Sequence, residues 1–263
     1  MKTDSETRLS ICLRANGFSF SLLSGQRQLL AMEEDVAYPE GNPQRAAQAI
    51  LSLLASRYGV SPLELGDMRV VVPTDSFAWI PAHLFDAQRT RQYLNLVSPL
   101  GDDQGVFHIH NRALDAFMVF AADTAVVTSF KVAFPGIDVH CPHSVLVSQS
   151  FLHDSTSHPL MLLHLEAGQA DVDAFYAGKL LLSNSYPAAT SDEAMYFAID
   201  IMKRFHLETP DMELRICGQV DRALYARYQH YFPNVGLHIG TPVVNPDPTA
   251  LPVPTYKYPL LFN

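Results

Sequence analysis

A chain of 263 residues, 48 % hydrophobic and only 17 % charged, has enough apolar surface to bury for one large or two small packed units and is unlike a disordered sequence. Its 18 Lys and Arg against 27 Asp and Glu leave a formal net charge of -9, which opposes sequence-independent binding to a nucleic-acid backbone. The stretch Met1 to Thr7 carries Lys2, Asp4 and Glu6 and no apolar run, unlike a signal peptide, and no later stretch approaches the ~20 apolar residues that cross a bilayer. Three widely spaced cysteines, Cys12, Cys141 and Cys217, suit buried thiols better than a disulfide framework or paired zinc thiolates. A cytoplasmic protein with neither a membrane nor a nucleic-acid partner is expected.

Leu9, Ile11 and Leu13 alternate with polar neighbours, Asn16-Gly17 is a strong hairpin signal, and Phe18, Phe20 and Leu22 resume the period of two. Ser24-Gly25 then turns the chain into a third strand, Gln28 to Met32. Asn42-Pro43 supplies an N-cap with proline at the first helical position. A helix is predicted from about Pro43 to Tyr58, with Ala46, Ala47, Ile50, Leu53 and Leu54 as its apolar stripe and Gly59 as its stop. Met68 to Val72, ended by Pro73, reads as a buried strand. Further on, Phe107 to His110, Ala116 to Ala121 and Thr124 to Ala133 read as strands, and Pro142 to Phe151 as a short helix.

The same order then returns. Leu160 to Leu165, Asp171 to Tyr176 and Leu180 to Ser183 read as a meander, with Ala177-Gly178-Lys179 as a tight turn. Thr190-Ser191-Asp192-Glu193 has capping-box spacing and opens a helix with Met195, Ile199, Met202 and Phe205 on one side. After Pro210, Met212 to Cys217 is a buried strand closed by Gly218, and a helix carrying Leu224, Tyr225, Tyr228 and Phe232 follows. Leu9 against Leu160, Pro43 against Ser191 and Met68 against Met212 give nearly constant offsets of roughly 144 to 151 residues, the signature of a duplicated architecture. The units are expected at 8–152 and 160–240, divided in the polar stretch His153 to Pro159, with a Pro-rich tail at 241–263 that returns to the first unit.

Two units of this plan resemble the actin-like ATPase fold shared by actin, sugar kinases and heat-shock chaperone ATPases. The ungapped segment Leu163-His164-Leu165-Glu166-Ala167-Gly168-Gln169-Ala170-Asp171-Val172, with the later Gly178-Lys179-Leu180, is similar to that superfamily's second phosphate loop. Leu214-Arg215-Ile216-Cys217-Gly218-Gln219 resembles its adenosine-motif strand. Over its length the chain resembles an uncharacterised bacterial domain-of-unknown-function family with this fold. The resemblance implies an α/β, duplicated actin-like ATPase (ribonuclease H-like) fold, with two β-meander/α/β subdomains facing a cleft. That cleft's relic residues would be Asn16, Gly17, His164, Glu166, Gly168, Cys217 and Gly218.

The motifs match in frame and fail in chemistry. In active relatives an aspartate in each loop orients Mg²⁺, and successive glycines let backbone N–H groups approach phosphate. Here His164 stands at the second loop's aspartate position, Glu166 and Ala167 replace two glycines, and Cys12 or Arg14 stands at the first loop's aspartate. Phosphoryl transfer rests on positioning and metal-centred charge stabilisation, so the expectation is a protein without ATPase or kinase activity and without a required cofactor, a pseudo-ATPase that binds an unknown protein partner or scaffolds. Nucleotide binding without hydrolysis stays open. So do a divergent sugar-kinase-type enzyme using Asp171, Asp173 or Glu166 for metal, and a self-assembling actin-like or cell-division-type component of undetermined oligomeric state.

Two histidine groups, His108-Ile109-His110 and His140-Cys141-Pro142-His143, have donor types that suit Zn²⁺, but without paired thiolates or a helical H-E-x-x-H they are read as strand-end and loop residues, and no metal is expected. No G-x-S-x-G elbow accompanies Ser144, Ser148 or Ser150. Trp79 is read as a packing residue, and the apolar end Tyr256, Tyr258, Leu260, Leu261 and Phe262 as a segment that docks on its own chain.

Overall fold

The computed structural model describes residues 7–152, 158–208, 210–239 and 255–262. They fall into two compact units that divide between Ser144 and Val145, with Leu260–Phe262 belonging to the first and 255–259 to the second. Residues 153–157, within the polar stretch where the sequence reading divides the units, and the Pro-rich part of the tail at 240–254 lie outside the described residues.

In the first unit, β1 (Arg8–Leu13), β2 (Gly17–Leu23) and β3 (Leu29–Ala37) form an antiparallel meander. The period of two sends Leu9, Ile11, Leu13, Phe18, Phe20 and Leu22 into the core and leaves Ser10, Cys12, Ser19 and Ser21 on the other face, where they are also buried. Asn42 accepts from the Gln44 N–H ahead of α1 (Ala46–Leu53), which buries Ala46, Ala47 and Ile50. A wide turn, Leu54–Tyr58, extends the helix to Gly59, whose φ of 64° ends it. From there β4 (Asp67–Val71) returns parallel to β1.

An inserted layer of β5 (Phe77–Pro81), α2 (Thr90–Asn95), β6 (Gln104–Asn111) and β7 (Ala116–Asp123) follows and leads into α3 (Thr124–Ala133), which packs in the main core. The layer's sheet runs β5-β7-β6. Thr124 to Ala133 is a helix and not the strand that its β-branched residues suggest. The Asp123 carboxylate accepts from the Val126 N–H as an N-cap, and Val126, Val127 and Phe130 are buried at helical spacing. Trp79 lies on β5, half-buried against the core of this unit. β8 (Asp138–His140) then joins β4 in parallel, giving the order β3-β2-β1-β4-β8, and α4 (Pro142–Leu152) follows.

The second unit repeats the plan with β9 (Leu160–Glu166), β10 (Gly168–Tyr176), β11 (Lys179–Ala188), α5 (Ser191–Arg204), β12 (Glu213–Gly218), α6 (Arg222–Tyr231) and β13 (Asn234–Leu237). Its order, β11-β10-β9-β12-β13, matches the first sheet strand for strand. Ala177 and Gly178, both at positive φ, make the tight β10–β11 turn. Thr190 and Glu193 close a reciprocal capping box on α5. The buried side of α5 is Ala194, Met195, Ala198 and Ile201, rotated from the stripe of larger residues; Ile199 and Met202 flank it and Phe205 is 37 % exposed. Alanines let the helix lie close on the sheet, so the contact line runs through them.

Candidate functional site

The second-unit segment that resembles a phosphate loop is a tight hairpin. Glu166 pairs with Gln169, so only Ala167 and Gly168, the latter at φ 81°, turn the chain. This register sets His164 opposite Asp171 on β10 and, through the parallel β9–β12 pairing, beside Cys217. All three point away from the core face that carries Leu163, Leu165, Val172 and Ile216.

His164 is 1 % exposed and Asp171 3 %, and both are engaged. The His164 Nδ1–H donates to Asp171 Oδ2 at 3.0 Å, while Nε2 lies 3.6 Å from Glu166 Oε1. The other Asp171 oxygen accepts from Gln169 Nε2 and Ser185 Oγ, each at 2.7 Å. Burial alone would lower the His164 pKa, but the hydrogen bond to Asp171 and the charges of Asp171 and Glu166 outweigh it and raise the value to about 9. At neutral pH this is an imidazolium held between two carboxylates. Cys217 is fully buried; burial and the nearby Asp171, Glu166 and Asp173 push its pKa well above the ordinary thiol value, so it stays a neutral thiol, donating weakly to the Leu163 carbonyl at 3.7 Å.

Gly218 carries the close approach of β12 to β9. Its φ is 85°, and a Cβ there would meet the Leu165 carbonyl oxygen at 2.2 Å and His164 Cδ2 at 3.1 Å. Gly168 also has positive φ but faces open space. In the first unit, Arg14 N–H donates to the Gly17 carbonyl at 2.8 Å and closes the β1–β2 turn, with Asn16 exposed at its tip. A Cβ on Gly17 would meet the Val36 carbonyl oxygen at 2.3 Å. Of the two residues at the first loop's aspartate position, Cys12 is buried and Arg14 is ion-paired with Asp35 at 2.5 Å.

The structure thus brings His164, Glu166, Cys217 and Gly218 together, puts Gly168 in the adjoining turn, and places Asn16 and Gly17 in the other unit. Gln169 and Ser185, which the motif does not single out, complete the polar network around Asp171, named from the sequence only as a metal residue of the divergent-enzyme alternative. The signal lies in the register: a two-residue turn at Ala167-Gly168 makes His164 and Asp171 cross-strand neighbours.

The residues of the two histidine groups contact aromatic rings and a serine. His110 stacks on Phe117 at 4.5 Å, His108 lies 5.1 Å from Phe85, and His143 lies 4.2 Å from Phe77. His140 is held against Ser144 Oγ at 3.3 Å, and burial followed by the charge of Arg69 lowers its pKa to about 4. Among the described residues, no group of three His, Cys, Asp or Glu side chains is arranged to hold a metal ion, and no helix is long and apolar enough to cross a membrane.

Comparison with solved structures places this architecture. A Bacteroides thetaiotaomicron protein described as having an actin-like ATPase fold and unknown function matches with a TM-score of 0.72 at 16 % identity, over 89 % of this chain and 91 % of that one. The PilM-PilN type IV pilus biogenesis complex matches at 0.55 and 14 % identity, over 87 % of each chain. The ethanolamine utilization protein EutJ from Carboxydothermus hydrogenoformans matches at 0.50 and 8 % identity, over 98 % of this chain and 90 % of that one. A search of curated proteins found no match. The fold is therefore the actin-like ATPase fold, as the duplicated sheet order indicates. Residues 1–235 match the family described as "Protein of unknown function (DUF3822)", and the chain belongs to that family.

Proposed function

We propose that this protein is a non-catalytic member of its fold, a pseudo-ATPase that binds or scaffolds a protein partner. One observation carries the reading: Asp171, the carboxylate that faces His164 across the hairpin, is saturated by His164, Gln169 and Ser185. A Mg²⁺ ion needs free carboxylate oxygens in near-octahedral geometry. Here the cation beside Asp171 is the imidazolium of His164. Glu166 would present like charge to a phosphate, and the two-residue turn after it offers few N–H groups for a cradle. The residues present therefore do not fit a Mg²⁺-nucleotide. PilM, recorded in a complex with PilN, illustrates the same fold as one component of an assembly.

The discriminating experiment is a turnover assay with Mg²⁺-ATP at high protein concentration. The proposal expects no phosphate release above the buffer rate for the wild type or for Glu166→Gln. Turnover that Glu166→Gln or Asp171→Asn abolishes would establish the divergent-enzyme alternative instead. Nucleotide-independent self-association in sedimentation would favour the assembly alternative.

A further inference from the structure

The first sheet buries a cationic group on the face turned away from its core. Ser10 on β1 is paired with Ser21 on β2 and with Arg69 on β4, and Arg8 lies two residues before Ser10 on the same face. Ser10 and Ser21 are fully buried and Arg69 is 7 % exposed. The segment Leu260–Phe262 lies against this face: Arg69 Nη2 donates to the Leu260 carbonyl and Ser21 Oγ to the Leu261 carbonyl, each at 3.3 Å.

These bonds leave donors over. Arg69 Nε and Ser10 Oγ are buried without a hydrogen-bond partner, and so are Nε and Nη2 of Arg27, a residue of the β2–β3 turn with φ 61°. That turn follows Leu23, which is paired with Arg8, so Arg27 belongs to the same end of the sheet. The carboxylate acting on Arg69 is Asp67, and Asp67 is already ion-paired with Arg8 at 2.6 Å. Asp138, opposite Arg69 in the register, is exposed. Burial, then the like charge of Arg8, lowers the Arg69 pKa to about 10 and depresses that of Arg27. A guanidinium buried without a counter-charge is costly, and its fork of N–H groups matches one ligand chemistry, an oxyanion.

We infer that Arg69, Arg27 and Ser10 form a binding site for a small oxyanion, a phosphate or carboxylate group, on the serine-bearing face of the first sheet. The site is independent of the second-unit hairpin and of the proposed loss of nucleotide chemistry. Inorganic phosphate and acetate are the probes, titrated calorimetrically into the full chain at constant ionic strength with chloride as the control. The expected result is saturable single-site binding of one or both, weakened tenfold or more in Arg27→Gln and in Arg69→Gln. Saturation by phosphate alone or by acetate alone supports the site and identifies which group it takes. Arg27, on a surface turn, provides the variant that folds if Arg69→Gln does not. Heats equal to the chloride control for both anions, or wild-type affinity in Arg27→Gln, would overturn the inference.

Discussion

Replacing His164 by asparagine removes the one cation of the second-unit network and leaves Asp171 buried without it. The size of the effect follows from the pKa. In the unfolded chain His164 titrates near 6.5, and in the folded protein near 9. At ~1.4 kcal/mol per unit, the bound proton is worth about 3 kcal/mol of stability. Because the folded value is the higher one, this stability is fully present below pH 6.5 and is lost as pH rises through 9. Urea unfolding curves of wild type and His164→Asn, taken at half-unit steps from pH 6 to 9, isolate this contribution. The wild type should lose ~1.4 kcal/mol per pH unit across most of that window, the variant should be nearly flat, and the gap between them should close as pH rises. Cys217 adds a loss of the same sign only above pH 9, outside the window. Parallel curves for the two proteins would refute the imidazolium assignment.

Other outcomes follow from the same geometry. His140, held neutral with a pKa near 4, has the opposite sign: its contribution is present above pH 6.5 and is lost as pH falls toward 4, so His140→Asn should flatten the acid limb of a stability profile. Gly218→Ala and Gly17→Ala set a Cβ against carbonyl oxygens at 2.2 and 2.3 Å and should each cost several kcal/mol by thermal or urea unfolding, whereas Gly168→Ala, strained only in φ, should cost about 1 to 2 kcal/mol. Thr190→Ala opens the capping box of α5 and should cost about 1 kcal/mol by the same assay.

The duplicated plan is readable in the sequence because its signals are local. Period-two strands, the turn ahead of Gly17, the Ala177-Gly178 turn, the Thr190 capping box and the Gly59 stop each depend on a few adjacent residues. The helix after the inserted layer is less readable. Thr124 to Ala133 has strand-like composition, and only the Asp123 cap and the placement of its neighbours make it a helix. β8 and β13 are three and four residues long and exist through pairing with β4 and β12, partners that local patterning does not reveal. The candidate site divides in the same way. His164 and Glu166 stand out against a resembling motif, but the role of Asp171 depends on cross-strand register, and the excess of donors around Arg69 depends on which side chains a folded sheet face brings together.

The central proposal is that the His164 imidazolium, paired with Asp171 in the segment that resembles a phosphate loop, leaves that segment unfit for a Mg²⁺-nucleotide. A calorimetric titration of the full chain with ATP and ADP, with and without Mg²⁺, tests it most directly. The account predicts that Mg²⁺ adds nothing to whatever weak nucleotide heat is seen, and that His164 keeps its elevated pKa in the presence of Mg²⁺-ATP. A Mg²⁺-dependent isotherm with Kd near ~1 μM, the equivalent of about -8 kcal/mol, would contradict it.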